Sequence, residues 1–318
     1  METEESRPIH LRDPSPVTVR RALREGAEFL SRVGVESDRL DAELLLGKAL
    51  GCPREKLYLN YEMALGTPVK DLYDSLLERR ALREPLCYLI GSREFWSLDF
   101  YVTSEVLVPR PETELLIEVT LGLVRELDSP RAIKILDLGT GSGAIAVSLA
   151  KELGEAEIWA TDLSWGALEV ARRNALRHGV EGKICFLHGN AFAPVKGQRD
   201  FFDLLVSNPP YVRQSEIEKL PPEVRDWEPK LALDGGVDGL DFYRRIVKEA
   251  HHYLADGGFL AVEIGADMGR EVCGLIADVG YYSAASVWQD YAGKDRVVAA
   301  RKLPGADKEI DCEAARSG

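Results

Sequence analysis

The chain has 318 residues, enough for about two domains at roughly 150 residues each. Hydrophobic residues make up 45% of it and charged residues 29%, which excludes a long disordered protein. Its 53 acidic and 40 basic residues give a formal net charge of −13. That balance argues against tight, sequence-independent binding to nucleic acid, because such binding depends on Lys and Arg neutralising phosphates. No run of about 18 apolar residues is present, so no membrane span is predicted.

The cysteine pattern and the chain ends are typical of a reduced, cytoplasmic protein. The cysteines are scattered and form no C-x-x-C pair, so we expect neither a disulfide framework nor a metal site. Residues 1–16 are polar and lack the apolar segment of a secretory signal, so a flexible leader is predicted. Residues 304–318 are predicted to form a disordered tail. The cysteines are Cys52, Cys87, Cys185, Cys273 and Cys312.

Residues 17–84 are predicted to form a small N-terminal helical bundle, because several short amphipathic stretches follow one another. Ser37 is suited to cap the start of the second stretch, and Gly51 is suited to end it. Two more helical stretches, 54–65 and 67–84, follow. In the first stretch, apolar residues recur at three- and four-residue steps and form one helix face. That face comprises Val19, Leu23, Ala27 and Leu30.

Residues 85–110 are rich in aromatic and β-branched residues and are predicted to form a β-hairpin linker. Residues 111–303 alternate short apolar runs with helical stretches, which is typical of an α/β domain with a parallel sheet covered on both faces. No helix follows the last run, so it is expected to return antiparallel beside residues 281–290. The predicted strands are 133–139, 157–162, 184–189, 201–208, 258–264 and 296–302. The predicted helices between them are 142–153, 165–179, 241–255 and 268–280.

A glycine turn, Gly139-Thr140-Gly141-Ser142-Gly143, follows the first of these strands. Glycines at such a turn let the backbone approach a ligand and present N–H groups at a helix N-terminus. Asp162 ends the second strand, about 20 residues further on, where a carboxylate can accept two ribose hydroxyls. The sequence therefore predicts a ligand that contains adenosine.

Two adenosine ligands fit the glycine turn. The turn matches the dinucleotide pattern G-x-G-x-x-A, so a nicotinamide dehydrogenase is a possible interpretation at this point. Asp137 stands two residues before the first glycine, and its carboxylate suits a cationic ligand better than a pyrophosphate. S-adenosylmethionine carries both a sulfonium and an ammonium group, so the acid favours a methyltransferase.

The Asn-Pro-Pro-Tyr turn, Asn208–Tyr211, follows the fourth strand. Its two prolines fix φ and remove two backbone donors, which leaves the Asn208 side-chain oxygen and the Pro209 carbonyl as rigid acceptors. Two acceptors can hold the –NH2 group of an amide or aromatic amine toward a methyl donor, and this positioning is the main source of catalysis. We therefore predict Asn208, Pro209 and Tyr211 as catalytic residues, and all four turn residues, Pro210 included, as contacts of the substrate.

These motifs together resemble the release factor glutamine methyltransferases, a HemK/PrmC-type family of N5-glutamine methyltransferases. The resemblance covers nearly the whole chain and rests on residues 106–114, 137–143, Asp162 and 208–211. It implies a Rossmann-like, seven-stranded class I methyltransferase domain, a β-hairpin linker and a substrate-binding helical bundle. It also implies methyl transfer from S-adenosylmethionine, with S-adenosylhomocysteine as product, to N5 of the glutamine in the Gly-Gly-Gln motif of class-one peptide chain release factors.

Two alternatives share the Asn-Pro-Pro-Tyr turn. One is N5-glutamine methylation of a ribosomal protein, and the other is amino-methylation of a nucleic-acid base. The intact Pro109–Glu114 element favours release factors, and the net charge of −13 argues against nucleic acid. We expect release factors as partners, no direct contact with nucleic acid or membrane, and a monomer.

Residues 190–192 depart from the family pattern, which often has an acid followed by Trp. Asn190 can still accept a hydrogen bond from an adenine amino group, and Ala191 offers less aromatic contact, so packing on the adenine is expected from Phe192 or another side chain. The residues predicted to bind the cofactor are Gly139, Thr140, Gly141, Ser142, Gly143, Asp162, Asn190, Ala191, Phe192 and Asn208.

Four further features lie close to the predicted site. Arg110 and Glu112 flank Pro111 in the linker, where they could hold the linker against the catalytic domain or touch the substrate. Glu263 ends the fifth strand and faces the ligand edge. Residues 223–238 form a long loop after the Asn-Pro-Pro-Tyr turn, and loops of this kind often act as lids.

Overall fold

The computed structural model describes residues 17–127 and 132–305. Contacts divide the chain into two compact units, with the boundary between Ile90 and Gly91. The predicted leader and residues 306–318 of the predicted tail lie outside the described residues. Among the helices that the structure describes, none is both long enough and apolar enough to cross a membrane.

The first unit is a bundle of short helices around a leucine-rich core that includes Leu30, Leu45 and Leu57. The core also encloses an ion pair, in which Arg80 Nε lies 2.6 Å from an oxygen of Asp41. Ser37 donates to the other Asp41 oxygen at 2.7 Å, so both oxygens of this buried carboxylate have donors. The helices are α1 (Val19–Arg32), α2 (Asp38–Leu50), α3 (Arg54–Leu59), α4 (Thr67–Ala81) and α5 (Leu86–Ile90).

The bundle was predicted from local sequence signals, and the structure differs from that prediction in three respects. Gly51 ends α2 in the left-handed conformation, at φ +64°, as its position predicts. Ser37 precedes α2, but its hydroxyl bonds to Asp41 instead of capping the helix backbone. The helix predicted over 54–65 stops at Leu59. The structure also folds α5 into the first unit, whereas the linker was predicted to begin at residue 85, because Leu89 packs into the bundle core.

A β-hairpin opens the second unit, as predicted. Strands β1 (Arg93–Phe95) and β2 (Leu98–Phe100) pair antiparallel. Trp96 and Ser97 connect them with φ of +51° and +57°, the backbone that a tight two-residue hairpin turn requires. Phe95 and Phe100 are buried against each other, with ring centroids 5.9 Å apart. The Trp96 indole donates to Glu152 at 2.8 Å, which fixes the hairpin to the α/β domain.

A seven-stranded sheet forms the centre of the second unit, in the order β5-β4-β3-β6-β7-β9-β8. The first five strands in this order run parallel, and β9 pairs antiparallel with both β7 and β8. The predicted parallel sheet and antiparallel return are thereby confirmed. The carboxyl ends of β3, β4, β5 and β6 meet at one edge, where such sheets bind ligands. The strands are β3 (Lys134–Leu138), β4 (Glu157–Asp162), β5 (Ile184–His188), β6 (Phe202–Ser207), β7 (Leu254–Glu263), β8 (Ser286–Gln289) and β9 (Asp295–Arg301).

Helices cover both faces of this sheet, and neighbouring residues of a strand enter different cores. Ile135 belongs to one apolar cluster and Leu136 to the other, as the two-residue period of a strand dictates. The α-helices are α6 (Glu114–Glu126), α7 (Ala144–Glu152), α8 (Trp165–Arg177), α9 (Gln214–Ile217), α10 (Pro222–Arg225), α11 (Asp241–Ala250) and α12 (Gly269–Val279). Short 3-10 helices lie at Pro111–Thr113, Glu181–Lys183, Ala193–Val195 and Lys230–Ala232.

The end of α11 corrects one prediction. The amphipathic pattern predicted a helix through residue 255, but α11 ends at Ala250 and β7 already begins at Leu254. The residues between them form hydrogen bonds with the start of β6, because the Tyr253 carbonyl accepts the backbone N–H of Phe202 at 3.0 Å. Pairing with β6 therefore overrides the helical pattern at this point.

Candidate active site

The glycine turn joins β3 to α7 with three residues at positive φ. Gly139, Gly141 and Gly143 have φ of +73°, +55° and +80°. A Cβ added at Gly139 or Gly141 would meet no atom within 4 Å, so the turn backbone faces open space there. A Cβ at Gly143 would lie 3.0 Å from the Cβ of Ala171, so this glycine allows α7 to pack against α8. Two of the glycines therefore expose backbone to a ligand, and the third serves packing.

Most N–H groups of the glycine turn bond within the protein. Those of Gly139 and Thr140 donate to the Thr161 carbonyl at 2.9 and 3.0 Å, and that of Gly143 donates to the Thr140 carbonyl at 2.8 Å. The N–H of Gly141 donates to Asp162 Oδ2 at 2.9 Å. This corrects the expectation that the turn offers these donors to a ligand. It also disfavours a pyrophosphate, which binds through free N–H groups.

Two carboxylates brace the glycine turn from β3 and β4. Asp162 accepts the N–H of Ser164 at 2.8 Å as well as that of Gly141, and it also lines the cavity described below. Asp137 is fully buried and accepts the Thr140 hydroxyl at 2.6 Å through Oδ2. Its Oδ1 has no hydrogen-bond partner among the described residues, and burial raises its pKa to about 7. An unsatisfied buried carboxylate of this kind suits a cationic ligand nearby.

Asn174, which sequence reasoning missed, links the turn to the linker. It is fully buried in α8, and its Nδ2 donates to the Ser142 carbonyl at 2.8 Å and to the Tyr101 carbonyl at 2.9 Å. Its Oδ1 accepts the Tyr101 N–H at 2.7 Å. One side chain therefore holds the linker and the glycine turn in register.

The Asn-Pro-Pro-Tyr turn follows β6 at the same sheet edge. Asn208 Nδ2 donates to the Thr113 hydroxyl oxygen at 3.1 Å, which leaves Oδ1 as the acceptor for a ligand. Pro209 and Pro210 line the cavity beside it. The Ser207 hydroxyl donates to the Leu138 carbonyl at 2.7 Å and so joins the ends of the two central strands. Thr113 was not predicted, because nothing in the sequence near Asn208 points to it.

Tyr211 lies beside the cavity wall and turns toward the core. Its hydroxyl is 3.5 Å from Glu263 Oε1, and burial raises the pKa of its phenol. Glu263 is 1% exposed, and burial raises its pKa to about 7, while the Thr113 and Tyr211 hydroxyls and the Arg296 charge act in the opposite direction. The loop packs closely on Tyr211, because a Cβ at Gly235 would lie 2.7 Å from its Cα.

A single cavity of about 250 Å³ brings most of the predicted residues together. Its walls come from the linker, the glycine turn, the ends of β4 and β5, the Asn-Pro-Pro-Tyr turn and α11. The predicted residues that line it are Gly139, Thr140, Gly141, Ser142, Asp162, Asn190, Ala191, Asn208, Pro209 and Pro210. The predicted residues outside the lining are Gly143, Phe192 and Tyr211.

Phe192 points away from this cavity. It is 1% exposed and stacks on Tyr253, with ring centroids 4.7 Å apart. Ala191, just before it, has φ of +50°, and the chain turns there from β5 into a 3-10 helix. Leu163, which directly follows Asp162 and is 45% exposed, is one of the aliphatic residues that line the cavity. Sequence reasoning could have found Leu163 as an apolar residue beside the predicted ribose contact.

Asn190 already has a donor within the protein. Arg245 of α11 donates to its side-chain oxygen and, at 3.2 Å, to its backbone carbonyl. Arg245 also lines the cavity. The amide oxygen thus keeps one lone pair for a ligand, next to a fixed positive charge.

The linker is tied to the loop by an ion pair. Arg110 Nη2 lies 2.7 and 2.8 Å from the two oxygens of Glu228, which is 5% exposed. Of the two roles open for Arg110, this contact supports holding the linker in place, whereas Glu112 is exposed. The Val212 N–H donates to the Leu233 carbonyl at 2.9 Å, so the loop is anchored to the Asn-Pro-Pro-Tyr turn as well.

Comparisons with known proteins identify the family to which the chain belongs. Residues 21–91 match the family described as "PrmC N-terminal domain", and residues 118–220 match "Methyltransferase small domain". A release factor glutamine methyltransferase of Geobacter sulfurreducens is 44% identical over 91% of this chain and 98% of its own length. One of Moorella thermoacetica is 45% identical over 88% of this chain and 97% of its own length.

A solved structure supports the fold. The hMettl16 catalytic domain, crystallised with the MAT2A 3'UTR hairpin 1, aligns over 72% of this chain and 83% of its own with a TM-score of 0.54. Its sequence identity is 15%, so the likeness concerns the fold alone. The identities to the two bacterial relatives, which extend over nearly their full lengths, establish that the chain belongs to the family of release factor glutamine methyltransferases.

Proposed function

We propose that this enzyme transfers the methyl group of S-adenosylmethionine to N5 of the glutamine in the Gly-Gly-Gln motif of class-one peptide chain release factors. The observation that carries the proposal is the orientation of Asn208, whose nitrogen is bound by Thr113 and whose oxygen is left as an acceptor beside the cavity. The release factor as substrate is supported by family membership.

The residues around the glycine turn fit S-adenosylmethionine. The open backbone at Gly139 and Gly141 allows close approach, and Asp162 can accept ribose hydroxyls. Asp137, buried behind the glycine turn, has an oxygen without a hydrogen-bond partner among the described residues, and a cationic ligand nearby would favour its ionised form. When bound, S-adenosylmethionine supplies a methyl group on a sulfonium sulfur, which leaves as S-adenosylhomocysteine once the methyl is bonded to nitrogen.

Residues outside these contacts complete the proposed cofactor site. We assign Thr140, Ser142, Asn190, Ala191 and Asn208 to its walls, with Leu163 as apolar contact for the adenine. Gly143 and Phe192 act behind the wall, the first by letting α7 pack on α8 and the second by supporting Ala191 from the core.

The Asn-Pro-Pro-Tyr turn acts by holding the substrate amide. Asn208 Oδ1 accepts one N–H of the glutamine side chain, and the Pro209 carbonyl accepts the other. Held in this way, the amide nitrogen faces the methyl group, and partial loss of planarity directs its lone pair there. Pro210 and Tyr211 keep the acceptors rigid, and such preorganised acceptors cost no rearrangement during the reaction. The methylated amide is then cationic and acidic, so its nitrogen releases one proton to solvent water and the neutral N5-methyl amide is left as product.

The N-terminal helical bundle is the proposed docking element for the release factor. The match of residues 21–91 to the PrmC N-terminal domain supports this assignment, since it occurs together with a methyltransferase domain in one chain. The proposal predicts that the bundle affects affinity for the whole protein substrate and leaves affinity for S-adenosylmethionine unchanged.

Mass spectrometry of a release factor tests the proposed function. An unmethylated Gly-Gly-Gln factor is incubated with the enzyme and S-adenosylmethionine, beside a factor with Ala in place of that glutamine. One added methyl group on that glutamine, and none on the control, is the expected result. Absence of the modification, with cofactor binding measured separately by calorimetry, would overturn the proposal and direct the search to ribosomal proteins and then to RNA.

A further inference from the structure

We propose that Thr113 is the positioning residue that holds the Asn208 amide in the orientation that directs its oxygen at the substrate. This inference rests on the proposed function, because it concerns the acceptor that holds the substrate amide. It assigns a role to a buried residue that lies outside the sequence of the Asn-Pro-Pro-Tyr turn.

The amide of Asn208 can be turned in two ways that occupy nearly the same space. Only one of them directs the oxygen at the substrate, because the other would oppose an –NH2 group to the N–H groups of the glutamine. The prolines of the turn fix the backbone and leave this side-chain torsion undetermined. A partner must therefore hold the Asn208 nitrogen away from the substrate.

Thr113 is placed to do this. Its hydroxyl oxygen accepts from Asn208 Nδ2 at 3.1 Å. The side chain is 4% exposed, so water does not compete with the contact. Its backbone is held as well, because the N–H of Thr113 donates to the Arg110 carbonyl at 3.1 Å and Arg110 is bound to Glu228. The segment that carries the hydroxyl is therefore held at two points, by the backbone hydrogen bond of Thr113 and by the ion pair of Arg110.

A hydroxyl can donate as well as accept, and in this contact the Thr113 oxygen accepts while the Asn208 nitrogen donates. This arrangement satisfies one Asn208 N–H inside the protein and leaves Oδ1 on the cavity side for the N–H groups of the glutamine. In the opposite orientation, the Asn208 –NH2 group would face those N–H groups, and neither side would find an acceptor. Thr113 therefore supplies the acceptor that the productive orientation needs.

The test removes the hydroxyl and keeps the shape. Thr113→Val replaces it with a methyl group, Thr113→Ser retains it, and Thr120→Val is the matched control. Thr120 is a fully buried threonine of α6 whose hydroxyl donates to the Leu116 carbonyl at 2.7 Å, away from the cavity. Single-turnover methylation of a Gly-Gly-Gln release factor and the Kd of S-adenosylmethionine by calorimetry are measured for each.

We expect Thr113→Val to lower the single-turnover rate about tenfold to a hundredfold and to leave the Kd of S-adenosylmethionine within about twofold. Thr113→Ser is expected to keep the rate within about threefold, and Thr120→Val is expected to match the wild type. A wild-type rate in Thr113→Val, or a rate for Thr113→Ser as low as that of Thr113→Val, would overturn the inference. Thr113→Ala removes the same hydroxyl with a smaller side chain and replaces the Val variant if thermal melting shows that the latter is unfolded.

A double-mutant cycle separates a positioning role from general damage. If Thr113 acts through Asn208, Thr113→Val causes no further loss in an Asn208→Ala background. Equal losses in both backgrounds would show that Thr113 acts independently and would overturn the inference. Wild-type turnover is measured first. Its absence would overturn the proposed function together with this inference, whereas turnover that survives Thr113→Val would overturn the inference alone.

Discussion

The glycine turn and the Asn-Pro-Pro-Tyr turn end neighbouring strands of one sheet, yet different parts of the chain hold them. Thr140 bonds to Asp137 three residues away, and Gly141 bonds to Asp162 at a separation of 21 residues. Asn208 bonds instead to Thr113, 95 residues away. The braces of the glycine turn thus come from β3, β4 and α8, whereas those of the other turn come from the 3-10 helix Pro111–Thr113 and from β7.

Cofactor binding and substrate positioning therefore depend on different segments of the chain. A turn that is braced by its own strand–helix unit can keep its cofactor site when distant segments change. A turn that is braced by a segment distant in sequence depends on contacts across the whole domain. Cofactor affinity and turnover are therefore expected to respond to different substitutions, and the following predictions test that separation.

The largest effect is expected from Asn208→Ala. Loss of one of two acceptors is expected to lower the rate of release-factor methylation by about a hundredfold to a thousandfold. The Kd of S-adenosylmethionine is expected to change by less than about threefold, because the glycine turn keeps its own braces. The rate is measured by single-turnover mass spectrometry and the Kd by calorimetry.

Gln289→Ala provides the matched control for this substitution. Gln289 is an amide side chain whose Nε2 donates to Asp295 at 2.9 Å in the β8–β9 hairpin, outside the cavity. Its removal is expected to leave both quantities unchanged. A wild-type rate in Asn208→Ala would contradict the assignment of this residue as the substrate acceptor.

The sequence predicted the features whose cause is local. Alternation of apolar runs and helical stretches identified the parallel sheet, and the missing final helix identified its antiparallel return. The glycine turn and the Asn-Pro-Pro-Tyr turn were recognisable because each needs particular residue types at consecutive positions. Most of the predicted site residues accordingly meet in one cavity.

Features that depend on distant partners were not predicted. Glu228 is 118 residues from Arg110, and no periodicity or spacing relates the two. Phe192 was expected at the adenine, but packing against Tyr253 directs it into the core. The N–H groups of the glycine turn were expected to be available, but the strand end at Thr161 accepts two of them. In each case, tertiary packing determines which partner a side chain or a backbone group contacts, and the local sequence does not specify that partner.

Each of the two regions contains a buried carboxylate with a pKa of about 7, Asp137 at the glycine turn and Glu263 behind the Asn-Pro-Pro-Tyr turn. Their pKa values are higher in the folded protein than in the unfolded chain, so the folded state binds more protons between about pH 4.5 and pH 7. The free energy of unfolding is therefore expected to fall as the pH rises through this window. The loss between pH 5.5 and pH 8 is on the order of 2 kcal/mol for each group.

Urea unfolding at these two pH values measures the effect. Asp137→Asn and Glu263→Gln each replace a titrating group with a neutral one of the same shape. Each variant is expected to lose less stability than the wild type between pH 5.5 and pH 8. If the stability of a variant that carries both substitutions falls with pH as steeply as that of the wild type, other groups determine the pH dependence of stability.

Arg110→Ala tests the brace between linker and loop. It leaves the carboxylate of Glu228 buried without its partner, and an unpaired buried charge destabilises a protein. We expect the free energy of unfolding to fall by about 1–2 kcal/mol, since Arg110 is itself partly exposed. Adding Glu228→Gln is expected to restore part of the loss. The exposed pair of Arg177 and Asp99 is the control, where Arg177→Ala is expected to cost less than about 1 kcal/mol in urea unfolding.

Asp162→Ala is expected to act on the cofactor side alone. It removes the acceptor for the Gly141 N–H and the proposed ribose contact, so the Kd of S-adenosylmethionine is expected to rise about tenfold. Asp203→Ala is the control, because Asp203 accepts the Lys134 N–H at 2.8 Å and so joins β6 and β3 at their amino ends, away from the cavity. The Kd of S-adenosylmethionine for Asp203→Ala is expected to match that of the wild type.

At saturating S-adenosylmethionine, Asp162→Ala should retain far more activity than Asn208→Ala, because the Thr113 contact of Asn208 does not involve the glycine turn. Equal losses of turnover in both variants would mean that the two turns act as one unit, and the distinction between local and distant bracing would then have no functional consequence.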